Sequence, residues 1–340
     1  MKYGRWIMAI GVLMLVACSS GVSSNTPQPH PTLLADHVGQ PDELVPTAAE
    51  IAAAKNVLGD HGFIGIVACN STSEYHAGVP HAAQALAQQW GLAVKVFDSE
   101  TKAERQTTAI ETFVAQGARA IVLCEIDPAV IGNAVKEAAA QGVFVVQYAG
   151  RDMAVNGIGI SVDDADLGCA AGDIAGDLIV KEKGGQANVA ILDYPDLPNI
   201  VVRANKIEEC LKQKAPGAKI VGRYLGGTPE NGLQSLENAL QAHPEIDLVA
   251  SINDAGAYGA IRALEAAGKD PQKTIVVGID GETQARDLIR QGKYFRGTVS
   301  TSPSQTGEMV IQAVVKLLSS STVPKNVQVP VTRITEDTLK

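Results

Sequence analysis

Each apolar run of this chain is followed by residues able to exchange hydrogen bonds with a polar ligand or to move protons. Asn70, Ser71, Thr72, Ser73, Glu74, Tyr75 and His76 follow residues 63–68. Glu125 and Asp127 follow 120–124, and Arg151 and Asp152 follow VFVVQY (143–148). Asp163 and Asp164 come after Ile160, and Asp193 and then Arg203 come after Leu192. Asn253 and Asp254, then Asp280, then Ser300 and Thr301 complete the series. Carboxylates accept hydrogen bonds, asparagine exchanges them, and arginine donates a fork of N–H groups, which suits a ligand rich in hydroxyls. Charged hydrogen bonds of this kind contribute roughly 1.5–3 kcal/mol each. Paired carboxylates could also serve a hydrolase, but they are too common to carry that claim. No Gly-x-Ser-x-Gly, His-Glu-x-x-His or phosphate loop accompanies them. Some members have a plainer role: Asp127 before Pro128 reads as a helix cap, and Asp254 is a second candidate.

The elements that must position these residues alternate in type. FIGIVA (63–68), LAVKVF (92–97), AIVLC (120–124) and VFVVQY (143–148) read as strands, with Ala-rich amphipathic stretches at 76–90, 102–116 and 128–141 between them. The cycle restarts with NVAIL (188–192), IVGRYL (220–225), LVASI (248–252), TIVVGI (274–279) and GTVS (297–300). This alternation predicts an α/β chain with two doubly wound parallel-sheet lobes. In such sheets ligands bind beyond the carboxyl ends of the strands, where the polar residues stand.

The 340 residues are 46% hydrophobic and 19% charged, enough for two domains with sizeable cores. A net charge of −9 leaves no footprint for nucleic acid. Lys2 and Arg5 precede an apolar run from Trp6 to Ala17, too short to span a bilayer and suited to a signal peptide. The run ends in Leu15-Val16-Ala17-Cys18, which resembles the lipobox of bacterial lipoproteins and implies a lipid anchor on Cys18. Residues 19–45 are rich in Ser, Pro, Gln and Asn without apolar periodicity and read as a tether, followed by a helix over 47–58. Cys69, Cys124, Cys169 and Cys210 show no metal-ligand spacing, so neither metal nor cofactor is expected. Export permits disulfides, and Cys69 and Cys124 both end strands; buried free thiols are the equal alternative.

From about Gly62 onward the chain resembles the type I periplasmic sugar-binding proteins, near the ribose-binding group of ABC importers. The matching stretches are FDSET (97–101), AIVLCEIDPAVIGNAVKEA (120–138), DDADLGCAAGD (163–173), RANKI (203–207), SINDAGAYGAIRAL (251–264), VVGIDG (276–281) and GKYFRGTVSTSPSQTG (292–307). The resemblance implies two lobes joined by a three-strand hinge. The chain divides into a signal peptide (1–18), a tether with a short helix (19–60), a first lobe (61–162 with 302–326) and a second lobe (163–301 with 327–340). Crossings are expected near 161–163, 300–302 and 325–330. By position, the ring over the sugar falls on Tyr75, the donor arginine on Arg203, the helix-opening asparagine on Asn253, the acceptor carboxylate on Asp280 and the last polar contact on Thr301. Ser71, His76 and Asp164 are further candidates. Arg151 and Asp152 follow Ala149-Gly150, where the family has Asp-Arg directly, so specificity is expected to diverge there. The implied protein is no enzyme. It is a monomeric, lipid-anchored extracytoplasmic binder of a small sugar or polyol, serving an ABC permease and ATPase, with a sensor subunit as the alternative.

Overall fold

The computed structural model describes residues 29–149 and 157–340. Its first part runs β1 (Thr32–Gly39), α1 (Ala48–Leu58), β2 (Phe63–Ala68), α2 (Glu74–Gln89), β3 (Val94–Asp98), α3 (Ala103–Ala115), β4 (Ala118–Cys124), α4 (Pro128–Ala140), β5 (Phe144–Tyr148) and β6 (Gly157–Ser161). The second part runs α5 (Asp164–Lys183), β7 (Asn188–Asp193), α6 (Pro198–Lys214), β8 (Lys219–Leu225), α7 (Pro229–Ala242), β9 (Leu248–Ser251), α8 (Asp254–Ala266), β10 (Ile275–Val277), α9 (Thr283–Arg290) and β11 (Phe295–Ser300). Three elements close the chain: α10 (Pro303–Leu318), β12 (Thr322–Gln328) and β13 (Thr332–Thr335).

Two sheets result. The first has the order β1-β12-β6-β5-β4-β2-β3 and is parallel throughout. The second has the order β13-β11-β10-β9-β7-β8, parallel except for its edge strand β13. Strands such as FIGIVA are buried on both faces because helices cover both faces of each sheet. One apolar cluster of the first lobe includes buried residues of α1, α2 and α10, and another includes residues of α3 and α4. In the second lobe α5 and α6 cover one face, α7, α8 and α9 the other. The expected architecture of two doubly wound lobes is the observed one.

The strand order reverses between β2 and β4 in the first sheet, and between β7 and β9 in the second. At such a switch point the following loops part in opposite directions and leave a crevice. The chain passes between lobes after β6, after β11 and between β12 and β13. The last passage follows Gln328, so most of 325–330 belongs to the first sheet.

One expectation is overturned. Residues 32–39, read as tether, form β1 and pair in parallel with β12 from Thr32↔Thr322 to Gly39↔Val327. The side chains of this edge strand are mostly exposed, so the backbone ladder holds it and no apolar alternation advertises it. Leu44 just beyond is fully buried, so the packed body begins well before residue 61.

Candidate functional site

The first-lobe wall is built at the start of α2. Ser73 caps that helix by accepting from the His76 backbone N–H at 3.2 Å, which turns Glu74, Tyr75 and His76 toward the space between lobes. Tyr75 is half-buried against the first-lobe core, and burial pushes its phenol up to about 12 against the opposing hydrogen bond with Thr306. Its ring meets the His76 imidazole edge-on, with centroids 5.4 Å apart. Burial pulls the His76 pKa below its ordinary value, which favours the neutral ring at neutral pH.

The second-lobe wall rests on the crossing of α5 and α6. Asp163 caps α5 with hydrogen bonds from the backbones of Ala165 and Asp166, and Asp164 opens the helix. Gly168, Gly172 and Gly176 recur every fourth residue along α5, under α6. A methyl group on Gly168 would stand 2.2 Å from the Arg203 carbonyl oxygen, and one on Gly172 2.4 Å from that of Ile207. This close approach, with the Cys169–Cys210 disulfide between the helices, brings Arg203 to Asp164. Arg203 Nε and Nη2 donate to Asp164 Oδ1 at 3.0 and 2.6 Å, and Nη1 donates to the Ile252 carbonyl at 2.9 Å. One turn earlier on α6, Asn199 Nδ2 donates to Asp164 Oδ2 at 3.0 Å. Among the described residues its Oδ1 is buried without a hydrogen-bond partner, an acceptor on a residue that lines the cleft.

Asp280 lies on the floor. Its φ of 129° is a strained conformation for a residue with a side chain, costing roughly 1–3 kcal/mol. Hydrogen bonds from its N–H to Val299 and from Thr301 to its carbonyl hold it there. Burial raises its carboxyl to about 7; Arg203 opposes the rise and Glu282 adds to it. Asp254 behind it is fully buried and held well above the usual carboxylate range by desolvation and by the Asp280 charge. Thr298 Oγ1 and the Glu282 backbone N–H donate to Asp254 at 2.7 and 3.0 Å. Across the opening, the Glu74 carboxylate accepts from the Thr283 N–H and hydroxyl at 3.0–3.1 Å, joining the first lobe to the start of α9.

The cleft between the lobes measures about 340 Å³, near the lower end of the roughly 300–1,000 Å³ typical of small-molecule clefts. Of the expected contacts, Tyr75, His76, Asp164, Arg203, Asp280 and Thr301 line it. Ser71 does not: its hydroxyl donates to Asp98 at 2.6 Å, at a separate small cavity. Asn253 is also outside the lining, because capping uses both ends of its amide. Its Oδ1 accepts from the Gly256 N–H, and its Nδ2 donates to the Gly227 carbonyl. The cap of α8 is thus Asn253, not Asp254. Arg151, Asp152 and Cys18 lie outside the described residues. Asn199, Glu282 and Arg286 line the cleft without having been singled out. For Asn199 a signal existed, since it stands four residues before Arg203 on one helix face.

Residues 64–322 match the family model described as a periplasmic binding protein domain. The chain belongs to this family. This periplasmic binding protein is similar to the ribose import binding protein of Bacillus subtilis, 27% identical over 269 residues, covering 78% of this chain and 85% of the relative. It also resembles an ABC transporter solute-binding protein of Actinobacillus succinogenes solved with bound D-allose (TM-score 0.71, 23% identity, 82% of this chain and 99% of that one). A third likeness is to the binding protein of the arabinose ABC transporter from Shewanella sp. ANA-3, bound to L-arabinofuranose (TM-score 0.67, 25% identity, 82% and 93%).

Proposed function

We propose that this chain is the extracytoplasmic solute-binding protein of an ABC importer, capturing a small sugar or polyol between its lobes and delivering it to the permease and its ATPase. One observation carries the reading: two walls from different lobes face one another across a cleft that presents acceptors, the Arg203 and Arg286 guanidinium groups and the Tyr75 ring. Asp164 and Asn199 prepare Arg203, Asp280 supplies a partly buried carboxyl, and Tyr75 offers a ring to a C–H face. A molecule with several hydroxyls can donate to Asp280 and accept from Arg203 at once. Relatives named for ribose, allose and arabinose support the same ligand class. The arrangement is read as binding without turnover, by a monomer. The signal peptide and Cys18 support a lipid anchor, with chains contributing about 0.8 kcal/mol per buried CH₂.

Mass spectrometry of ligand retained on purification, followed by calorimetry against pentoses, hexoses and polyols, tests the reading. A one-to-one complex with one of them is expected; no heat with any member and no retained ligand would overturn it. Ala149 lines the cleft, so Arg151 and Asp152 are kept as proposed ligand grips. Arg151→Ala and Asp152→Ala should each weaken binding at least tenfold, by roughly the loss of one charged hydrogen bond. Unchanged affinity in both would remove them from the site. Cys18→Ser should move the protein from the membrane to the soluble fraction, and unchanged membrane association would exclude the anchor.

A further inference from the structure

We infer that Cys69, Cys124 and His76 form a thiol-gated site for a soft or borderline metal cation behind the first-lobe wall, closed while the two sulfurs are bonded and opened by their reduction. Cys69 directly follows β2 and Cys124 ends β4, neighbouring strands at the switch point, with Cα atoms 5.3 Å apart and a disulfide between them. The first turn of α2 carries His76 back over this pair, and its Nδ1 stands 3.7 Å from Cys124 Sγ. The nitrogen and both sulfurs lie within 4.8 Å of one another. A tetrahedral zinc, with bonds of ~2.3 Å to sulfur and ~2.0–2.1 Å to nitrogen, holds two such donors about 3.5 Å apart. The imidazole therefore already stands at the separation that a shared metal requires.

The surroundings fit a bound cation. Cys124 is fully buried and Cys69 nearly so, while His76 borders both the cleft and the small cavity beside it. Two thiolates and an imidazole suit zinc, and three protein donors leave a fourth position for water or a ligand oxygen. In the structure the sulfurs are joined, no thiolate exists, and the site is closed. A phosphine opens it: phosphorus attacks one sulfur, the S–S bond breaks, and water converts the phosphorus to its oxide. The sulfurs gain two electrons and become two thiols, whose protons leave to solvent when the metal binds. The other disulfide, Cys169–Cys210, joins α5 to α6, and no histidine is grouped with it among the described residues. It serves as an internal control. The inference does not depend on which solute the cleft takes.

Zinc uptake is measured by competition with a chromophoric chelator, with and without a phosphine, and cobalt is added in parallel to read thiolate charge-transfer bands. The reduced protein should bind one equivalent and the oxidised protein none. Cys69→Ser with Cys124→Ser should abolish binding although Cys169 and Cys210 remain, and His76→Gln should weaken it at least tenfold. Far-UV circular dichroism checks that each variant is folded. A shift of the His76 ring resonances when zinc meets the reduced wild-type protein tests the third donor without any substitution. No uptake by the reduced wild type, uptake retained in the double serine variant, or unmoved His76 resonances would overturn the proposal.

Discussion

At the scale of single residues, Asp280 has the most informative titration. Its carboxyl sits near 7 in the folded chain against an ordinary value of 3.8, because burial disfavours the charge. The folded state then binds more protons than the unfolded state between those values, so stability falls as pH rises through about 7. The melting temperature of the ligand-free protein should drop from pH 5 to pH 8, and Asp280→Asn should flatten that drop; an equal drop in the variant would sink the assignment. A ligand hydroxyl that donates to the ionised carboxylate favours the charged form. Affinity should therefore increase as pH rises through the same range, and calorimetry at pH 5.5 and 8 reads the sign.

At the scale of elements, two packing contacts decide whether these residues meet. Gly168 lets α6 lie on α5, and even a methyl group there meets the Arg203 backbone at 2.2 Å. Gly168→Ala should destabilise the protein by roughly 1–3 kcal/mol through overpacking. It should also weaken ligand binding, since Arg203 would be displaced from Asp164; urea unfolding and calorimetry measure the two effects. On the first lobe, Glu50 of α1 accepts from Lys316 and Ser321 at 2.9 and 2.6 Å, fastening α1 to α10 and the chain just beyond it. Desolvation raises its pKa, but these bonds and those from Thr47 outweigh it and hold the carboxyl at about 2. A depressed carboxylate stabilises the fold above its unfolded value of about 4.5, and that contribution disappears as pH falls toward 2. Glu50→Gln should cost roughly 1–3 kcal/mol at pH 7 and little at pH 2; an equal cost at both would rule out the charged clamp.

At the scale of the molecule, Glu74 and Thr283 supply a contact that only the juxtaposed lobes can make. If ligand capture couples to closure, removing this contact shifts the population toward open forms and lowers the apparent affinity. Glu74→Ala should weaken binding about three- to tenfold, with the change mainly in the dissociation rate. Small-angle scattering should show a larger radius of gyration for the variant without ligand and the wild-type value once ligand saturates it. Equal radii without ligand would show that the contact does not hold the lobes together.

Local pattern made much of this protein legible. Continuous apolar runs such as FIGIVA can be buried only in a covered parallel sheet, so the alternation of strands and helices determined two doubly wound lobes. Asp164, Asp280 and Thr301 reach the described cleft because they closely follow strand runs, whereas Arg203, on α6, was picked out by the likeness of RANKI to the family. Edge strand β1 was not legible, since backbone pairing leaves no side-chain period to read. Asn253 and Ser71 stand outside the described cleft lining for a related reason. The same side chain can cap a helix, bond a neighbouring carboxylate or face a ligand, and only the positions of Gly227 and Asp98 decide. The meeting of Asn199 and Arg203 with Asp164, and of His76 with two distant cysteines, depends on strand order and helix crossing. Those are long-range matters, and tertiary structure alone determined them.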